Sequence, residues 1–117
     1  MYCCGPTVYD YGHIGNFRTF LHVDVLRRFL KQQGQILKHV MNITDVDDKI
    51  IRRAAAAGLS ITDFARPYEA AFFEDLDALA IERPEIIARA TEAIPEMVAL
   101  IEQLAAKDIA IEERQLG

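Results

Sequence analysis

Between Ile14 and Gln33 apolar residues recur every three to four positions: Phe17, Phe20, Leu21, Val25, Leu26, Phe29 and Leu30 form one broad stripe, and Gly34 stops it. The spacing predicts an amphipathic helix. Ahead of it, Met1 to Cys4 reads as a short strand that runs into a turn at Gly5-Pro6-Thr7, because Pro6 lacks an N–H and Gly5 tolerates unusual dihedrals. Behind it, Gln35 to Ile43 is too short for an ordinary helix, rich in apolar and β-branched residues, and bounded by Gly34 and Thr44-Asp45, which predicts a second strand. Strand, helix, strand implies a right-handed crossover and parallel pairing. The expected fold is α/β: the first half of a Rossmann-like, doubly wound nucleotide-binding domain.

Further along, the pattern turns helical. Asp45 to Ala57 predicts a short helix ended by Gly58; Ser60 with Asp63 resembles a capping box opening a helix to about Leu79; Thr91 to Ala106 predicts another, with Pro84 between the last two. No strand is expected until the last few residues. Residues 1–58 therefore read as the βαβ unit and 59–117 as a helical segment leading into an insertion, the two forming one structural unit. Half of such a sheet leaves an edge strand and one face uncovered, which predicts a marginal or self-associating protein.

Composition narrows the class. With 117 residues, 51% of them hydrophobic and 26% charged, the chain can build one core and is not a disordered polymer. The net charge of -5 disfavours an autonomous nucleic-acid binder, but residues 1–58 hold eight Lys and Arg against five Asp and Glu (+3), while 59–117 hold five against thirteen (-8). Only the front half suits a polyanion. Cys3 and Cys4 are neighbours and cannot staple distant segments, so free thiols or a metal ligand are the available readings. With no apolar run of membrane-spanning length and no secretory signal at the start, a cytoplasmic location is expected.

The richest stretch for chemistry runs from Cys4 to Asn16, CGPTVYDYGHIGN, a loop leaving a strand and entering the first helix. Free N–H groups and the positive dipole end of that helix favour phosphate, Gly12 and Gly15 permit close approach, and His13 and Asn16 can donate hydrogen bonds. A histidine there also reads simply as a helix cap or a packed side chain. His13-Ile14-Gly15-Asn16 resembles the His-Ile-Gly-His signature of class I aminoacyl-tRNA synthetases, and Cys4-Gly5-Pro6-Thr7-Val8-Tyr9-Asp10 resembles what cysteinyl-tRNA synthetases carry before it. The likeness continues through Arg18-Thr19-Phe20 and Asn42 to Ile51 (NITDVDDKII), and more faintly through Ala90 to Glu96 (ATEAIPE).

The resemblance implies ATP-dependent activation of cysteine and its transfer to tRNA-Cys. His13 and Asn16 match the outer signature positions, which contact ATP phosphates and stabilise the pentavalent transition state; an amide at Asn16 still donates. Thr7 and Gly15 lie with them at the nucleotide, ATP entering with Mg2+. Gly5 and Thr44 match positions lining the cysteine pocket. Cys4 matches a zinc ligand, where the metal takes the thiolate of substrate cysteine and so rejects serine. On its own residues, Cys4 also reads as a small apolar side chain, and Cys3, His13, His22 and His39 stand at unsuitable places to complete a zinc site.

The remaining polar clusters have plain readings. Asp45-Val46-Asp47-Asp48 lacks the calcium-loop pattern, leaving Asp45 as a cap and Asp47 and Asp48 solvated. Lys49, Arg52 and Arg53 read as a solvated helix face, and the acidic residues from Glu69 to Asp77 as the wet side of a helix. A complete synthetase of this kind is several times longer, with a second nucleotide-binding half and an anticodon-binding region. The expectation is a truncated catalytic-domain segment, inactive alone in aminoacylation. Two alternatives stand beside it: a ligase joining cysteine to an amino sugar, which Val8 and Lys49 disfavour, and a non-catalytic nucleotide-binding or interaction module.

Overall fold

Strand β1 spans Tyr2–Cys3, helix α1 Ile14–Gln32, strand β2 Val40–Ile43, helix α2 Asp48–Ala57, helix α3 Ile61–Ala78, strand β3 Ile86–Arg89 and helix α4 Ile94–Ala105, with a 3-10 turn at Thr91–Ala93. The computed structural model describes residues 1–107 and Ile109. The strands form one parallel sheet in the order β1-β2-β3, with Tyr2 opposite Val40 and Val40 opposite Ile86. A further bridge joins Thr7 to Thr44 beyond the carboxyl ends of β1 and β2.

Strand β3 corrects the expectation of a wholly helical second half. Its four residues, Ile-Ile-Ala-Arg, are too few to stand out against the helical pattern on either side. They become a strand because β2 offers a complete row of partners from Val40 to Ile43. Strand β2 in turn begins at Val40 and not at Gln35, as residues 35–39 lie outside the paired register. Helix α2 starts later than expected as well: Asp47, not Asp45, is its cap, accepting from the Ile50 amide at 2.7 Å. Asp45 is buried and accepts from the Thr91 amide at 2.9 Å, tying the end of β2 to the turn after β3.

The core lies on one face of the sheet. Val8, Phe17, Phe20, Met41, Ile43, Ala65, Phe72, Phe73, Leu76 and Ile81 form a single buried cluster. Its middle is aromatic: Phe72 contacts Phe17, Phe20 and Phe73 with centroids 5.0 to 5.9 Å apart. Because α3 supplies Ala65, Phe72, Phe73 and Leu76, the chain on either side of residue 58 shares this core. The opposite sheet face is open, with Tyr2, Cys4, Ile86 and Ala88 exposed.

The stripe on α1 behaves differently from expectation. Phe17 and Phe20 are buried, but Leu21, Val25, Leu26 and Phe29 are about half exposed, and Asp24 and Arg27 are buried instead. The cause is the turn from α3 into β3. Arg27 donates to the carbonyls of Glu82 and Arg83 at 3.1 and 2.9 Å and pairs with the Glu82 and Glu85 carboxylates, while Asp24 accepts from the Glu82 amide at 3.0 Å. Glu85 also accepts from the His39 amide at 2.8 Å. Turn carbonyls that reach the interior need donors, and Arg27 supplies them. The acidic side of α3 is not all wet either: Glu69, 14% exposed, receives a forked pair of bonds from Arg89.

Candidate active site

Past the end of β1 the chain crosses the carboxyl edge of the sheet and enters α1 at His13, which caps the helix. The His13 Nδ1 accepts from the Gly15 amide at 3.1 Å, and the Asn16 side-chain oxygen accepts from the His13 amide at 3.0 Å. This reciprocal cap makes the structural reading of His13 correct without removing its chemistry. An Nδ1 that accepts must be unprotonated, so the ring proton sits on Nε2, and the Asn16 Nδ2 stays available as a donor. The Asn16 and Phe17 amides bond the His13 carbonyl. What the helix end offers an anion is therefore the Ile14 amide, His13 Nε2 and Asn16 Nδ2, backed by the dipole.

These groups border a cavity of about 460 Å³ lined by residues 4–13 together with Asn16, Phe17, Thr19, Phe20, Tyr68 and Phe72. Cys4, Gly5, Thr7, His13 and Asn16, all singled out in the sequence, converge on it. Gly15 does not line the wall; a side chain there would meet the His13 ring at 2.9 Å, so this glycine lets the imidazole lie over the first turn. Gly12 packs against Phe17, its missing side chain leaving room for the ring at 2.7 Å.

Thr44 lies outside the cavity lining, beside Thr7 on the bridge between the two strand ends. It is tied in through Asn42, a residue sequence reasoning did not single out. The Asn42 Oδ1 accepts from the Gly5 amide and from the Tyr2 hydroxyl, both at 3.0 Å, and its Nδ2 donates to the Thr44 hydroxyl at 3.2 Å. One amide thus links Gly5 and Thr44. Gly5 must be glycine for a related reason: a side chain would come within 1.8 Å of the Asn42 carbonyl oxygen. Only the pairing of β1 with β2 could have revealed this.

Cys4 is exposed, whereas Cys3 lies on the core side with its sulfur 2.7 Å from His39 Nε2. Burial pushes the Cys3 thiol up and the buried His39 imidazole down, so both are held neutral. Among the described residues no three His, Cys, Asp or Glu side chains come together to hold a metal. A zinc site needs at least three protein ligands, and Cys4 alone does not fit that requirement.

Residues 1–115 match the family model described as the tRNA synthetases class I (C) catalytic domain. The chain belongs to this family. It is 60% identical over 110 residues to the cysteine–tRNA ligase of Koribacter versatilis, covering 94% of the chain and 22% of that protein. The cysteine–tRNA ligase of Solibacter usitatus is 60% identical over 104 residues, covering 89% of the chain and 22% of the relative, and that of Methanosarcina mazei 50% over 113 residues, covering 97% and 24%. This synthetase-family chain thus spans about a quarter or less of the curated relatives' length. No helix among its described residues is long and apolar enough to cross a membrane.

Proposed function

We propose that the chain forms the nucleotide-facing part of a cysteine–tRNA ligase site, in which the carboxylate of cysteine attacks the α-phosphorus of ATP and pyrophosphate leaves. The observation that carries this reading is the His13 cap, with Nε2–H and the Asn16 amide left as donors at a helix end beside the cavity. Negative charge grows on the phosphate oxygens in the transition state, and fixed donors at a helix amino terminus stabilise it without reorganising. Thr7 serves the nucleotide with them, Gly15 serves it by holding the His13 ring over the first turn, Gly5 and Thr44 serve the cysteine, and Cys4 would contribute one ligand to a zinc ion completed from elsewhere in a longer protein. Transfer to tRNA-Cys, in the cytoplasm, belongs to that longer protein too. The exposed apolar faces of α1 and α4 support self-association of the chain by itself.

Two substitutions separate cap from chemistry. Asparagine is itself a good cap, so His13→Asn should preserve stability, whereas His13→Ala should lose about 1 kcal/mol of it. Both remove Nε2–H, and both should weaken ATP binding by about tenfold or more, as expected for a charge-assisted hydrogen bond of ~1.5–3 kcal/mol. Binding of ATP measured by calorimetry, with pyrophosphate exchange alongside, checks this. Unchanged affinity in His13→Asn would remove His13 from the site.

A further inference from the structure

The segment that joins the two strand ends to His13 is held from outside by α2. Val8, at its start, is buried and bonds the Thr44 carbonyl through its amide at 3.1 Å, and His13, at its end, is fixed as the cap of α1. Between these anchors lie Tyr9, Asp10, Tyr11 and Gly12, all on the wall of the cavity. From the far side, Arg53 Nη1 donates to the Tyr9 carbonyl at 2.8 Å and to Asp10 Oδ2 at 3.2 Å. The other Asp10 oxygen accepts from the Tyr11 amide at 2.9 Å. These two contacts hold the Asp10 carboxyl below its usual range, the Tyr11 amide contributing most. One helical turn away, Lys49 stands over the Tyr9 ring at 4.7 Å, with the Arg53 guanidinium over the same ring at 5.3 Å.

We propose that Arg53, assisted by Lys49, is a positioning residue for the nucleotide site: it clamps Tyr9 and Asp10 from α2 and thereby sets where the wall from Tyr9 to His13 stands. This deepens the proposed function and rests on it. The Arg53–Asp10 pair is half exposed and as an isolated surface ion pair would do little. The bond to the Tyr9 carbonyl changes that, because it ties a main-chain group that no strand or helix engages to a side chain 44 residues away. On its other side the segment meets α3 at Tyr11, whose ring stands edge-on to Tyr68 at 5.1 Å. Both bonds leave the single nitrogen Nη1, so lysine at position 53 loses the reach of the longer side chain and the planar group over the Tyr9 ring while keeping a cation near Tyr9. The reading of Lys49, Arg52 and Arg53 as a solvated face therefore holds best for Arg52, whose Nε donates within its own helix, to the Asp48 carbonyl.

The test compares the full chain with Arg53→Ala, Arg53→Lys and Arg52→Ala by amide hydrogen exchange, ATP affinity and thermal unfolding. Arg53→Ala should speed exchange of the Tyr11 amide and lower ATP affinity, each by roughly tenfold, the equivalent of one hydrogen bond, while α3 amides and the melting temperature hold. Arg53→Lys should fall between it and the unsubstituted chain, and Arg52→Ala should match the latter. An unchanged Tyr11 amide in Arg53→Ala would overturn the clamp; a loosened segment with unchanged affinity would overturn its role in the nucleotide site. If the unsubstituted chain binds no ATP, the functional reading fails and with it the role at the nucleotide, while the exchange rates still decide whether Arg53 holds the segment.

Discussion

Asn42 shows how much one side chain decides at the edge of this site. Its carbonyl oxygen is shared by the Gly5 amide and the Tyr2 hydroxyl, and its amino group reaches Thr44. Because the Thr44 oxygen already accepts a bond from Asn42, its own hydrogen is left to donate outward. Replacing Asn42 by Leu should orphan the Gly5 amide and cost about 1–3 kcal/mol. Asn42→Asp should keep the Gly5 bond but turn the Thr44 hydroxyl back toward the new carboxylate. Urea unfolding would then find Asn42→Asp closer to the unsubstituted chain than Asn42→Leu; equal losses would mean that the Gly5 bond contributes nothing.

At the scale of elements, the contact between α1 and the turn into β3 is polar where an apolar stripe led us to expect packing. Arg27 is 3% exposed, and its partners Glu82 and Glu85 are 34% and 39% exposed. Arg27→Met should therefore cost about 3 kcal/mol, the lower end for breaking a buried pair, because the two carboxylates keep some water. The acid limb of stability should change with it. The Lys31 bond first and Arg27 after it hold Glu82 below the usual carboxylate range; the His39 amide first and then Arg27 among the charges do the same for Glu85. A depressed folded value means stability that is fully present above the unfolded glutamate value of about 4.5 and is lost as pH falls through the folded value. Thermal melts from pH 6 to 3 should show this loss in the unsubstituted chain and a shallower one in Arg27→Met. An equal acid slope would exclude Arg27 as a source of the coupling.

The molecule as a whole is thin and long for its size, with extents of 53 × 40 × 21 Å and a radius of gyration of 17.4 Å, against about 13 Å for a compact chain of this length. Much apolar surface is consequently left outside. Helix α4 buries no residue, leaving Met97, Leu100 and Ile101 about half exposed, and α1 leaves Val25 and Phe29 at 58% and 55%. Surface of this kind favours association. Sedimentation of the isolated chain should show species heavier than the monomer as concentration rises, and a chain carrying Phe29→Glu and Ile101→Glu should move toward monomer. A concentration-independent monomer, unfolding in one sharp transition, would count against association.

Local patterns were enough for what depends on near neighbours. The spacing of Phe17 and Phe20, the stops at Gly34 and Gly58 and the Ser60 cap are all set within one or two helical turns, so α1, α2 and α3 were legible. So was the tract from Cys4 to Asn16, which carries the family likeness and of which all residues but Ile14 and Gly15 line one cavity. The third strand was not legible, because four residues become a strand only when β2 lies beside them. Nor were the inward turn of Asp24 and Arg27, the sharing of Asn42 by Gly5 and Thr44, or the reach of Arg53 to Tyr9. In each of these a buried or main-chain polar group is satisfied by a partner 37 to 58 residues away, and nothing short of the tertiary structure brings the two together.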